Sequence, residues 1–85
     1  MTLSEDQVFE IARRNLSESY PNVENITMPY CSLYQDLSTK RNYFRVQLNY
    51  KRGIDRYNRS AIFQIDPESG DVEFFKDNYN WTYWS

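Results

Sequence analysis

The chain has 85 residues with 10 Lys and Arg, 12 Asp and Glu, no His and a formal net charge of −2, enough for one domain and one modest core. The absence of His removes Ser-His-Asp and Cys-His catalysis and the commonest metal ligand. A single cysteine, Cys31, forms neither an internal disulfide nor a cysteine-based zinc site. We therefore expect no cofactor, no metal and no enzymatic activity.

The first predicted element is a helix over about residues 5–19. Ser4 and Gln7 have the spacing of a capping box, with Leu3 and Val8 at the flanking staple positions. Glu5 and Asp6 place negative charge where the helix dipole favours it. Val8, Ile11, Ala12 and Leu16 recur at helical spacing, Phe9 widens the apolar face, and Pro21 forbids continuation. Such a helix needs a sheet to lie on.

Four strands follow. In the first, over about 23–34, Ile26, Met28 and Tyr30 alternate, and Pro29 marks it as an edge strand or one broken by a bulge. Residues 35–40 read as a polar loop. The second strand, about 42–51, puts Phe44, Val46, Leu48 and Tyr50 on one face and Tyr43, Arg45, Gln47 and Asn49 on the other. Gly53 lies in the next turn.

The third and fourth strands, about 57–66 and 71–76, form the clearest hairpin. Ala61, Phe63 and Ile65 alternate with Ile62 and Gln64 before Asp66-Pro67-Glu68-Ser69-Gly70-Asp71. Pro67 presets the first corner, the Asp66 side chain accepts from the backbone ahead of it, and Gly70 takes the left-handed conformation that closes the turn. Short connections pair the strands antiparallel. The fold class is α+β: an N-terminal helix packed on one face of a four-stranded antiparallel meander. The other face is expected to carry Tyr43, Arg45, Gln47, Ile62, Gln64 and Phe75 with nothing to cover it. Residues 77–85 read as a tail bearing Tyr79, Trp81, Tyr83 and Trp84.

The strand running into Ile65-Asp66-Pro67-Glu68-Ser69-Gly70-Asp71-Val72 resembles the closing hairpin of PepSY-like domains, which are also small and place an amphipathic helix before their strands. The resemblance covers residues 5–76 in layout and 63–72 in motif. It implies a module that binds or inhibits peptidases, and carries no functional residue over to this chain. NTF2-like immunity proteins end in similar hairpins.

Charge is unevenly spread. Residues 40–59 hold seven basic residues (Lys40, Arg41, Arg45, Lys51, Arg52, Arg56 and Arg59) against one acid, Asp55, while the remainder holds three against eleven. A central hairpin would gather them beside Tyr43, Tyr50 and Tyr57. Such a patch suits an acidic protein surface, because complementary charge steers association. Interleaved basic and aromatic residues also suit single-stranded nucleic acid, although a pI of about 5.0 does not favour that partner. The plain alternative is a solvated hairpin whose arginines pair with Glu73, Asp77 and other local acids. Asp66, Glu68, Asp71 and Glu73 crowd one hairpin without EF-hand spacing, and turn chemistry accounts for Asp66.

The expected function is a small non-enzymatic protein-binding module of the inhibitor or immunity type. Its candidate contact residues are Tyr43, Arg45, Arg52, Arg56, Tyr57, Trp81 and Trp84. The alternative is nucleic-acid binding through segment 40–59. A homodimer through the open face or an edge is also compatible with the pattern. No apolar run reaches the ~20 residues of a membrane span, and the N-terminus lacks the pattern of an export signal, so a cytoplasmic location is expected.

Overall fold

The computed structural model describes residues 2–53 and 58–79. Helix α1 (Glu5–Ser19) precedes β1 (Val23–Gln35), β2 (Asn42–Arg52), β3 (Arg59–Ile65) and β4 (Val72–Tyr79). The strands form one antiparallel sheet in the order β1-β2-β3-β4, the α+β meander expected from the sequence. The boundaries agree with the expected ones to within two residues except one. β4 continues to Tyr79, so residues 77–79 belong to the sheet and not to the tail, because Arg59, Ser60 and Ala61 of β3 supply them with ladder partners.

The capping box forms: the Ser4 hydroxyl accepts the Gln7 N–H at 3.2 Å, and the Gln7 carboxamide accepts the Ser4 N–H at 2.8 Å. Leu3 donates its N–H to the Pro67 carbonyl at 2.8 Å, which ties the helix entry to the β3–β4 turn. Val8, Ala12 and Leu16 are fully buried against the sheet face made by Phe44, Val46, Leu48, Tyr50, Ala61, Phe63 and Ile65. Each fully buried Val, Leu, Ile or Phe side chain contributes roughly 1.5–3 kcal/mol. Phe9, Ile11, Ile26, Met28, Cys31 and Val72 pack around that core, and the Cys31 thiol is half-buried.

The β1–β2 and β3–β4 turns are built alike. In each, an aspartate side chain caps the turn: Asp36 accepts from the N–H groups of Ser38 (2.9 Å) and Thr39 (3.4 Å), and Asp66 from those of Glu68 (2.8 Å) and Ser69 (2.9 Å). The fifth residue of each turn has a positive φ, 57° at Lys40 and 79° at Gly70. The sequence shows the second turn plainly. It hides the first as a polar loop, because a lysine stands where glycine would mark the left-handed position.

Both edge strands are bulged. In β1, two irregularities leave Asn25 (φ 55°) and Pro29 as extra residues between Glu24, Thr27 and Tyr30. Asn tolerates that conformation, and Pro has no N–H to offer the ladder. In β4, Gln64 faces Phe74 but Ile65 faces Val72, so Glu73 is the extra residue. A bulge breaks the period of two and sends later side chains to the opposite face. Two expectations are corrected as a result. Tyr30 does not share a face with Ile26 and Met28, since it lies opposite Gln47 on the helix-free side. Phe75 does not line the open face: it packs on Phe63, ring centroids 4.9 Å apart, and Phe74 is the residue exposed on the open side.

Candidate functional site

The helix-free face of the sheet is organised in rows by the strand register. Ser32, Arg45, Gln64 and Phe74 form the central row. Tyr30, Gln47, Ile62 and Lys76 form the next. Tyr34 and Tyr43 stand on the other side of Arg45, stacked with ring centroids 5.9 Å apart. Strand spacing places the outer members of a row roughly 14 Å apart and neighbouring rows roughly 7 Å apart. No element among the described residues packs over this face.

Within it, Tyr30 and Tyr34 flank Ser32 on one strand, and their hydroxyls hydrogen-bond to each other. The bond separates their acidities. Hydrogen bonds from Ser32 and Tyr34 lower the Tyr30 pKa, while sharing its proton with Tyr30 raises that of Tyr34. The positive charge of Arg45 favours ionisation of both. Arg45 is exposed and makes no ion pair among the described residues. Beside it a depression of about 160 Å³ is lined by Arg45, Ile62, Phe63, Gln64 and Phe74. Further along, the Gln47 side chain donates to Asn49 at 3.1 Å and the Ser60 hydroxyl donates to Asn49 at 3.2 Å.

At the turn end of the sheet Arg41 is held by two acids, Asp66 at 2.7 Å and Glu73. The Ser69 N–H, the Arg41 guanidinium and the Glu68 N–H hold the Asp66 carboxyl well below the usual carboxylate range. The opposite end of the sheet, on the helix side, has its own polar cluster. The hydroxyls of Tyr20 and Tyr50 both donate to Asp77, the two rings stack at 6.0 Å, and the Arg52 guanidinium lies 4.5 Å over the Tyr20 ring. Burial first, then the bond to Asp77, pushes the Tyr50 phenol far up; the bond to Asp77 also raises that of Tyr20.

The basic residues of segment 40–59 are therefore not gathered into one patch. Arg45 and Lys51 lie on the open face, with Lys51 opposite Glu24. Arg41 is spent on the turn acids. Arg52 and Arg59 share the face of Tyr50, on the helix side. Of the candidate contact residues, Tyr43 and Arg45 come together, Arg52 is on the other side, and Arg56, Tyr57, Trp81 and Trp84 lie outside the described residues. Sequence periodicity missed Tyr30, Tyr34 and Phe74 as members of the open face. Pro29 was the one visible signal that the phase of β1 breaks.

Among the described residues no group of three or more His, Cys, Asp or Glu is placed to hold a metal ion, and no helix is long and apolar enough to cross a membrane. Compared with protein-family models, curated proteins and solved structures, the chain matches none.

Proposed function

We propose that this protein is a small non-enzymatic binding module whose helix-free sheet face holds another protein, in the manner of an inhibitor or immunity protein. The observation that carries this reading is the face left uncovered among the described residues, where Tyr30, Tyr34, Tyr43 and Phe74 surround an exposed arginine that makes no ion pair with any of them. Tyr and Arg are the residue types enriched at protein interfaces, and large aromatic surface left in water favours association. The PepSY-like closing hairpin points the same way, towards a peptidase or another enzyme as the target, and a cytoplasmic location is part of this reading.

The test is affinity capture from the source organism with the tagged chain as bait, with and without nuclease, in parallel with Arg45→Glu. A single stoichiometric protein that survives nuclease and is lost with Arg45→Glu, at unchanged melting temperature, is the expected result. Equal capture by wild type and variant overturns the assignment of this face. The second reading is single-stranded nucleic acid, favoured by the half-exposed rings of Tyr30 and Tyr34 as stacking platforms. It predicts capture that disappears with nuclease and weakens steeply with salt.

A further inference from the structure

We infer that the open face recognises an acidic peptide segment in which an apolar side chain adjoins a carboxylate. The inference rests on the protein-binding reading above and specifies the partner's chemistry. The charge on the face is one-sided. Arg45, Lys51 and Lys76 stand on it against Glu24, which lies opposite Lys51. The acids nearest the face, Asp66 and Glu73, already hold Arg41. Among the described residues Arg45 is thus the cation with unused hydrogen-bonding capacity at the centre, and its planar fork matches a carboxylate bidentately. Its neighbours in the row and the next, Ser32, Gln64 and Gln47, are neutral, so no anion among the described residues competes there.

The apolar requirement comes from the depression that shares Arg45 as a wall. Its volume of about 160 Å³, with Ile62 and Phe74 among its lining, suits one aliphatic or ring-sized group, since a cavity of about 150 Å³ accommodates benzene. A carboxylate two residues from that group along an extended segment reaches Arg45, because alternate side chains of a strand lie roughly 7 Å apart on one face. The Tyr30–Tyr34 pair bounds Arg45 on the β1 side, so the carboxylate sits between it and the depression. A second copy of the chain fits this face poorly, because face-to-face association brings one face bearing Arg45, Lys51 and Lys76 against another of the same sign. A nucleic-acid strand needs a succession of cations along its backbone, whereas among the described residues this face offers one guanidinium outside any ion pair, beside an apolar hollow.

The test is a titration of the ¹⁵N-labelled 85-residue chain with short capped peptides of glycine and serine carrying one of three cores: glutamate-serine-leucine-serine-glutamate, its glutamine counterpart, and its alanine counterpart. The expected result is amide shift changes at Arg45, Gln64 and Phe74, with the glutamine and alanine peptides each about ten-fold weaker or more. That factor is what loss of one charge-assisted hydrogen bond or one buried leucine side chain produces. Arg45→Gln, whose unperturbed remote amide signals report an intact fold, erases the preference for glutamate over glutamine. Equal binding of the acidic and amide peptides, shifts confined to another surface, no binding of the acidic peptide, or a preference for oligothymidylate at the same face each overturns the inference. If the acidic peptides fail while Arg45→Glu still abolishes capture of the cellular partner, the face binds protein by other chemistry and only this inference falls.

Discussion

Tyr50→Phe removes one oxygen from the fully buried end of β2 and leaves the ring in place. In the wild type that oxygen donates to Asp77, which accepts from Tyr20 as well, so one carboxylate ties together β2, β4 and the segment that leaves the helix. A hydrogen bond to a charged acceptor contributes about 1.5–3 kcal/mol. Asp77 keeps its bond to Tyr20 and is only half-buried, which places the expected loss near the lower end, about 1.5–2 kcal/mol. For a chain of this length that is a fall in Tm of roughly 10 °C. Asp77→Ala is expected to cost more than Tyr50→Phe, because it leaves the Tyr50 hydroxyl buried without an acceptor. In the Tyr50→Phe background the cost of Asp77→Ala should shrink by about 1 kcal/mol or more, the coupling expected of residues in one network. Urea unfolding of the four proteins, followed by far-UV circular dichroism, measures each corner of the cycle. A Tyr50→Phe variant within about 0.5 kcal/mol of wild type, or strict additivity with Asp77→Ala, would refute the network as a source of stability.

The two aspartate-capped turns predict opposite responses. Gly70→Ala should destabilise by about 1–2 kcal/mol, since φ is 79° and a Cβ would lie 2.9 Å from the Ile11 Cδ1. Lys40→Gly, at φ 57°, should stabilise by about 0.5 kcal/mol, because relief of the left-handed strain exceeds the added chain entropy of the unfolded state. Thermal melts decide both, and a stabilising Gly70→Ala contradicts the turn assignment. Because the folded-state pKa of Asp66 is lowered, the unfolded chain binds more protons below about pH 4, and the stability from this carboxylate is present above that pH and lost as pH falls. Asp66→Asn should therefore lower stability at neutral pH and flatten the acid decline, and parallel stability–pH curves for wild type and variant would contradict it. The raised phenols of Tyr20 and Tyr50 act at the other end of the scale. Their contribution is present below about pH 10 and is lost as pH rises above it, so Tyr50→Phe should flatten the alkaline decline.

Several features are legible in the linear chain because they depend on near neighbours. The capping box at Ser4 and Gln7, the stop at Pro21, the period of two through β2 and β3, and the turn at Asp66–Asp71 each need only a few consecutive residues. Those local preferences agree with one another, and together they determine the order of elements, the antiparallel meander and most of the core. The central pair Tyr43 and Arg45 of the open face follows from the same alternation.

Membership of the rest of that face was decided by tertiary structure. Periodicity carries a side chain's direction forward only while no residue is inserted. Asn25, Pro29 and Glu73 each add one, and whether a strand absorbs an extra residue depends on its ladder partner, which lies far away in sequence. Tyr30 and Phe74 reached the open face in this way, and Phe75 was turned into the core. The fate of the basic segment was likewise non-local. Its residues are adjacent in sequence, but β2 alternates them between faces, and acids and a ring from distant elements — Asp66 and Glu73 for Arg41, Tyr20 for Arg52 — draw two of them away from Arg45. Sequence by itself determined that this chain is a small α+β meander with an uneven charge. Among the described residues, the pairing of strands decided that one guanidinium, framed by aromatic side chains from three strands, stands at the centre of the helix-free face.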